Sequence, residues 1–527
     1  VEQRAGGALG LASWTIGERF RRAAPLTCVL AACLAAQLGY WLRGIRVDAS
    51  ALGPNPTDSL WQLLDVGLLR HHLLQSLWYL HAQPPLFNLA VGLLLKLPAH
   101  LRYPVETSIS ELLGLALATG SYLLARELSV GRWLACAGTV VFIVASPGAE
   151  LFQNWLGWSY PVAVMATFWA LSAARYLRTS SWMWGLAFFV SGAGLVLVDS
   201  TYQWPWLVGV SAVMAYAMRR SLRRLVAVAS VPLFAVAVWY GKDAALFGTF
   251  ATSSWLGMNL AKMVLVTAPA GTLRHLQAER VLSPLASIGP FSREELYLPR
   301  FGSLTRTGIP ALDELLKSDG AINFNNLLYV KVSSEYLHQD LAFIVHEPGL
   351  YAKDLSMAVE VWETPFDQYF PPTDNAARLG VYSRLYDRFV LAQPLVDPAT
   401  PVYPLYRHEA PPLSRQSFVL MVVTALSLLG LPVVAIRWRR AGFRPWLAAL
   451  FMWGTMVYSF VTTSTLEVGE NERFFFELGA LPFAAAFAVA SEAFRAARAH
   501  RSSANYRALP SPSAESSCAS LGPSVGT

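Results

Sequence analysis

Ten apolar runs, each close to 20 residues, recur at 25–43, 107–125, 133–149, 155–177, 182–199, 203–218, 225–247, 416–437, 445–464 and 476–494. A helix rises about 1.5 Å per residue, so about 20 residues cover the roughly 30 Å hydrocarbon core of a bilayer. Only helices and closed barrels satisfy every backbone polar group there, and runs of this length select helices. The expectation is an all-α polytopic membrane protein with about 10–11 transmembrane helices. A composition that is 54% hydrophobic and 14% charged over 527 residues agrees, as does a mean hydropathy of +0.39, since a soluble core could not hide so much apolar surface.

The net charge of +7 is not spread as a nucleic-acid surface would be. Arginines gather at run ends: Arg19–Arg22, Arg126 and Arg132, Arg175 and Arg178, Arg219–Arg224, Arg437–Arg444 and Arg495–Arg501. Ten crossings put all of these on one side, which the positive-inside tendency makes cytoplasmic, together with both termini. Localisation follows: a multi-pass protein, expected in a bacterial plasma membrane. The first run contains Leu30–Cys33, LAAC, which resembles a lipoprotein cleavage box, but its apolar stretch continues to Trp41 and reads as a retained anchor.

An eleventh run follows the stretch LWYLHAQPP at 77–85. Pro84 and Pro85 lack amide donors and restrict the residue before them, so a helix boundary is enforced there. A full crossing by 86–101 would put five arginine clusters on the wrong side, so this run is expected to be short or re-entrant. Residues 60–80, which mix Leu and Trp with Asp65, Arg70, His71, His72 and Gln75, suit a helix lying in the interface.

The division expected is a cytoplasmic N-terminus at 1–24 and a transmembrane module at 25–247 with an acidic exoplasmic loop at 44–84. A mostly helical exoplasmic domain at 248–412, further transmembrane helices at 413–496 and a disordered cytoplasmic tail at 497–527 follow.

Three acids lie on the first exoplasmic loop, Asp48, Asp58 and Asp65, and each is a candidate base. Asp65 is preferred because its helix leads into the Pro-Pro segment. Candidate substrate-binding residues are His81 and Gln83 beside the prolines, Asn154 and Asp199 at exoplasmic helix ends, and Glu470 and Arg473 in TLEVGENERFFFELGALPF at 465–483. A guanidinium at a membrane mouth suits a phosphate through its planar fork of donors. Cys28, Cys33, Cys136 and Cys518 show neither metal-ligand nor disulfide spacing. Walker A, dinucleotide-binding, HExxH, CxxC and GxSxG motifs are missing, which removes support for ATP-driven, nicotinamide and zinc-protease chemistry. No cofactor is expected, and a divalent-metal requirement stays open.

LHAQPPLFNLAVGLLLKL at 80–97 resembles the H-x-PP-L-type segment of polytopic GT-C glycosyltransferases, particularly the protein O-mannosyltransferase and lipid A aminoarabinose transferase group. GENERFFFELGALPF at 469–483 resembles an ENxRFRFE-type ending in bacterial members of that group. The resemblance implies a GT-C-like bundle, a polyprenyl-phosphate-linked sugar donor, and transfer to a hydroxyl acceptor (glycan, lipid or protein) on the exoplasmic face, commonly with inversion. It also implies a loop acid as base and cationic groups that stabilise the departing lipid phosphate. Those relatives often carry an acidic pair after the first span, whereas Asp48, Asp58 and Asp65 are isolated here. A transporter or lipid flippase would use broken helices and intramembrane acids such as Asp199 but would be expected to show paired repeats. A noncatalytic assembly factor presenting residues 248–412 is the third reading.

Overall fold

The computed structural model describes residues 16–48, 60–302, 304–369, 373–394, 415–443 and 445–507, with side chains described from residue 23 to residue 500. Among these residues the protein is helical, and the only β pairings are the isolated bridges Asp48–Trp155 and Leu316–Ile322. Asp58 lies outside the described residues.

Helix α1 (Ile16–Leu42) leads into two short helices, α2 (Val66–His71) and α3 (Leu73–Trp78), then α4 (Pro85–Leu95) and the long α5 (Ala99–Glu127). Residues 60–80 thus form no single interfacial helix, because the chain breaks at His72 with φ −127° and ψ 39°. The Pro-Pro step does set a helix start, with Pro84 as N-cap and Pro85 as first helical residue. Eleven residues rise only about 16 Å, so α4 is too short to cross a bilayer.

Next come α6 (Arg132–Thr139), continued by a π turn over Val140–Val144, and α7 (Pro147–Gln153), bent from it by 61°. Ser146 accepts from the Ala149 amide and Pro147 sits at the first helical position, the usual chemistry of a helix start. Helices α8 (Ser159–Thr179), α9 (Trp182–Val198), α10 (Trp204–Ala217) and α11 (Leu222–Phe247) complete the first half. Glu127 at the end of α5 pairs with Arg175 and Arg178 at the end of α8, each at 3.0 Å, so these two arginine clusters share one end of the bundle.

The segment from 248 onward carries α12 (Leu256–Val264), α13 (Ala270–Ala278), α14 (Leu298–Phe301), α15 (Pro310–Asp313), α16 (Leu328–His346), α17 (Pro348–Trp362) and α18 (Asp374–Phe389). It is helical, as its apolar spacing predicts, but it does not stand apart. Tyr351 of α17 donates to the Thr465 carbonyl at 3.0 Å, and Trp362 stacks on Phe475 at 5.3 Å.

The last part consists of α19 (Phe418–Ala425), a π turn, α20 (Leu431–Arg440), α21 (Trp446–Leu466), α22 (Asn471–Glu477) and α23 (Leu481–Arg507). Helix α23 therefore runs into the tail that begins at 497. Among the described residues, five helices are long and apolar enough to cross a membrane, or up to seven if each bent pair is one span. The protein is accordingly all-α and multi-pass. Helices occupy all ten expected runs, but α9 and α10 are shorter apolar helices of 17 and 14 residues, and α8 is not among those meeting both criteria.

Candidate functional site

Two places hold the polar residues singled out by the sequence. The first is a pocket of about 380 Å³ where α1 ends, lined by Arg46, Asp48, Asn154, Trp155, Asp374 and Arg378 among others. The chain leaving α1 is fixed from both sides. The Asn375 side chain accepts from the Arg46 amide at 3.3 Å and donates to the Arg46 carbonyl at 2.7 Å. Two residues later the Asp48 amide donates to the Asn154 carbonyl at 2.7 Å, and the Leu156 amide donates back to Asp48 at 3.3 Å. Asp48 is thus held in a short strand-like pairing while remaining exposed at the pocket.

Asn154 ends α7, and its amide donates to the Glu150 carboxylate at 2.7 Å. The opposite wall is the start of α18, where Thr373 accepts from the Ala376 amide at 3.2 Å as N-cap. Arg378 and Arg46 bring positive charge to the same pocket, and the α18 N-terminus adds its partial positive charge. Gly148 permits the close approach of the neighbouring segment, since a Cβ there would lie 2.5 Å from Phe366 and 2.7 Å from the Asp367 amide.

The second place is the corner formed by α21, α22 and α23. Every residue of α22 is buried. Arg473 donates to Glu470 at 2.9 Å and to Glu477 at 2.8 Å, and Ser159 donates to the same Glu477 oxygen at 2.6 Å. Lys262 from α12 bridges Glu467 at 2.5 Å and Glu470 at 3.2 Å. Asp199 caps the end of α9, takes the Thr201 amide at 2.7 Å and neighbours Glu477. The Arg473 fork is therefore occupied by two carboxylates, and a phosphate would have to displace them. Gly479, at φ +59°, turns the chain against the Ala163 carbonyl, where a side chain has no room.

Aromatic rings join the two places. Trp155 lies 5.9 Å from both Trp158 and Tyr369, and the Arg473 guanidinium stands 5.2 Å from the Trp158 ring and 5.9 Å from the Tyr369 ring. Phe87 of α4 packs edge-on to Trp158 at 5.5 Å, so the Pro-Pro segment does contribute to this wall.

The other expected residues sit elsewhere. Asp65 is the N-cap of α2: one oxygen accepts from the Leu68 amide at 2.8 Å and the other from the Ser318 amide at 2.5 Å. Burial raises its carboxyl, but the hydrogen bonds from Ser318, Leu68 and Gly67 outweigh that and hold it below the usual range. His81 is buried between Ser254, at 2.8 Å from Nδ1, and the Asn325 carbonyl, at 2.9 Å from Nε2. Burial pushes its imidazole down to about 3, and the Lys242 charge adds to this. The Asn325 side chain also takes the His81 and Ala82 amides and donates to the Tyr79 carbonyl, so this non-helical stretch is satisfied internally. Gln83 is half-buried beside it.

Arg46, Asp374, Asn375 and Arg378 escaped sequence reasoning. The one signal for two of them was Thr-Asp-Asn at 373–375, a helix-start pattern that fixes local structure but gives no partner. Among the described residues, no three His, Cys, Asp or Glu side chains converge as a metal site. No protein-family model, curated protein or solved structure matches this chain.

Proposed function

We propose that the protein is a membrane glycosyltransferase of GT-C type that moves a sugar from a polyprenyl-phosphate donor to an acceptor hydroxyl on the exoplasmic face, with inversion. The observation that carries this reading is the pocket at the end of α1, whose lining includes Asp48, Arg46 and Arg378. An acid just past the first span, followed by the HAQPP segment, is also the order found in the sequences this chain resembles.

In this reading Asp48 takes the proton of the acceptor hydroxyl. The oxygen forms its bond to the anomeric carbon as the bond from that carbon to the phosphate oxygen breaks, and polyprenyl phosphate leaves. A nearby base and fixed positive charge where negative charge develops are what such a step requires. Arg46, Arg378 and the α18 N-terminus supply the charge, while Trp155 on the pocket wall offers a flat face for the sugar. Arg473 holds the corner behind that wall. Crossings by α8, α9 and α10 in addition to the longest helices give the ten-span arrangement and put this pocket opposite the arginine-rich end.

Incubating the purified protein in lipid nanodiscs with a panel of polyprenyl-phosphate sugars and candidate acceptors tests the reading. Release of polyprenyl phosphate that depends on an acceptor supports it. No release with any donor, from protein that stays monodisperse, removes it.

A further inference from the structure

Helix α18 shows an apolar stripe that is unpartnered among the described residues. Val381, Leu385 and Phe389, spaced four residues apart, are 66%, 53% and 79% exposed. Exposed Arg384 and Arg388 line one flank of the stripe, and Arg378 stands toward its start. The opposite face, with Leu379, Ser383, Tyr386 and Asp387, is buried. Apolar surface of this kind on a soluble face needs a cover.

The height of α18 along the bundle can be read from its contacts. Tyr382 donates to the Ala145 carbonyl and Tyr386 to the Val141 carbonyl, the latter at 2.8 Å, so α18 runs antiparallel to the 132–144 segment. Gly138, one turn below Val141, packs on Phe487 of α23, and Gly430 packs on Val489 of the same helix. Gly430 lies near the middle of the apolar 418–440 helix. Leu391, five residues past Tyr386, meets Ser417 at the start of that helix, about 18 Å of helix rise from Gly430, so α18 ends at the outer boundary of the apolar 418–440 stretch. The stripe is also continuous with surfaces that face lipid. Leu391, just past α18, accepts from Ser417 at 2.6 Å and from the Val419 amide at 3.2 Å, beside Phe418, which is 63% exposed at the start of α19. At the other end Arg378 donates to the Arg43 carbonyl, next to the exposed Leu38, Trp41 and Leu42 of α1.

We infer that α18 is a membrane-seated helix whose Val381, Leu385 and Phe389 stripe lies against the acyl chains of the adjoining leaflet, with Arg384 and Arg388 reaching its phosphate headgroups. Long cationic side chains beside an apolar stripe serve both layers at once, the apolar part in hydrocarbon and the charge at the headgroups. One consequence is that Arg378 and the pocket it lines open at the level of lipid phosphates. This holds whatever reaction the pocket performs.

The test places benzoylphenylalanine at Leu385, Phe389 or, as a third probe, Val381 in the full chain, in nanodiscs of phosphatidylcholine and phosphatidylglycerol. His338, on an exposed polar stretch of α16, is the aqueous control. After irradiation, mass spectrometry should find phospholipid adducts at least about tenfold more abundant at the α18 positions than at His338. Arg384→Ala with Arg388→Ala should reduce the phosphatidylglycerol share of those adducts. Adducts no more frequent than at His338, or cross-links to the protein's own residues, in monodisperse protein would overturn the inference.

Discussion

The Asp48 amide donates to the Asn154 carbonyl at 2.7 Å, which ties the chain leaving α1 to the turn that ends α7. Through that pairing the Glu150 carboxylate, bonded to the Asn154 side chain, sets the position of a residue at the mouth of the pocket. The backbone of Arg46, two residues earlier, is pinned by Asn375 of α18.

Asn375→Ala removes both bonds to the Arg46 backbone, each contributing about 1 kcal/mol. The expected result is a modest fall in thermal midpoint with about a tenfold loss in transfer kcat/KM, because Arg46 and Asp48 lose their register against α18. Parallel thermal-shift and transfer measurements check it. Loss of stability alone would leave Asn375 a purely structural residue.

Arg473 is the centre of a buried ionic network, and removing it leaves Glu477 to the Ser159 hydroxyl and Glu470 to Lys262. Arg473→Ala is expected to cost about 3–5 kcal/mol, as breaking a buried pair does, and to lower the thermal midpoint strongly. Arg473→Lys keeps one charge but cannot serve two carboxylates with one planar fork, so it should fall between. Thermal unfolding in detergent ranks the three proteins. Equal midpoints would show that the network does not hold the corner.

His81 makes stability depend on pH. Its folded imidazole titrates near 3, far below the unfolded value of about 6.5. Burial beside Ser254 and Asn325, with the Lys242 charge nearby, disfavours the charged ring. Its contribution is therefore complete above about pH 6.5 and is lost progressively as pH falls toward 3, because the unfolded chain binds the proton first. Thermal midpoints between pH 7.5 and 5 should decline in the wild type and decline less in His81→Gln. Identical slopes would mean that His81 does not set this dependence.

Much of the helix order was legible because apolar runs and prolines act locally. The run at 225–247 and the boundary at Pro84–Pro85 need no knowledge of the rest of the chain. The pairing of arginine clusters was legible too, as Glu127 with Arg175 and Arg178 shows. The site was less so. Asp65 looks like a base in sequence because a helix cap and a catalytic carboxylate share one residue type; only the Ser318 amide, far along the chain, separates them. Arg473 looks like a phosphate clamp until Glu470 and Glu477 occupy its fork. The α18 residues carry no motif beyond the helix start at Thr373–Asn375, and their place beside the end of α1 is set by tertiary contacts such as Asn375 with Arg46.

The proposed chemistry turns on which loop acid faces the acceptor. Asp48 lines the pocket with Arg46 and Arg378, and Asp65 lies outside it as the cap of α2. Asn keeps the shape of Asp but cannot accept the proton, so Asp48→Asn should lower transfer by about 100-fold or more while donor binding persists. Asp65→Asn keeps one capping oxygen and should lose little turnover and about 1 kcal/mol or less of stability. The decisive measurement is steady-state transfer from the active polyprenyl-phosphate sugar by wild type, Asp48→Asn and Asp65→Asn in nanodiscs. Loss in Asp48→Asn with near-wild-type turnover in Asp65→Asn is the predicted result, and wild-type turnover in Asp48→Asn would contradict it.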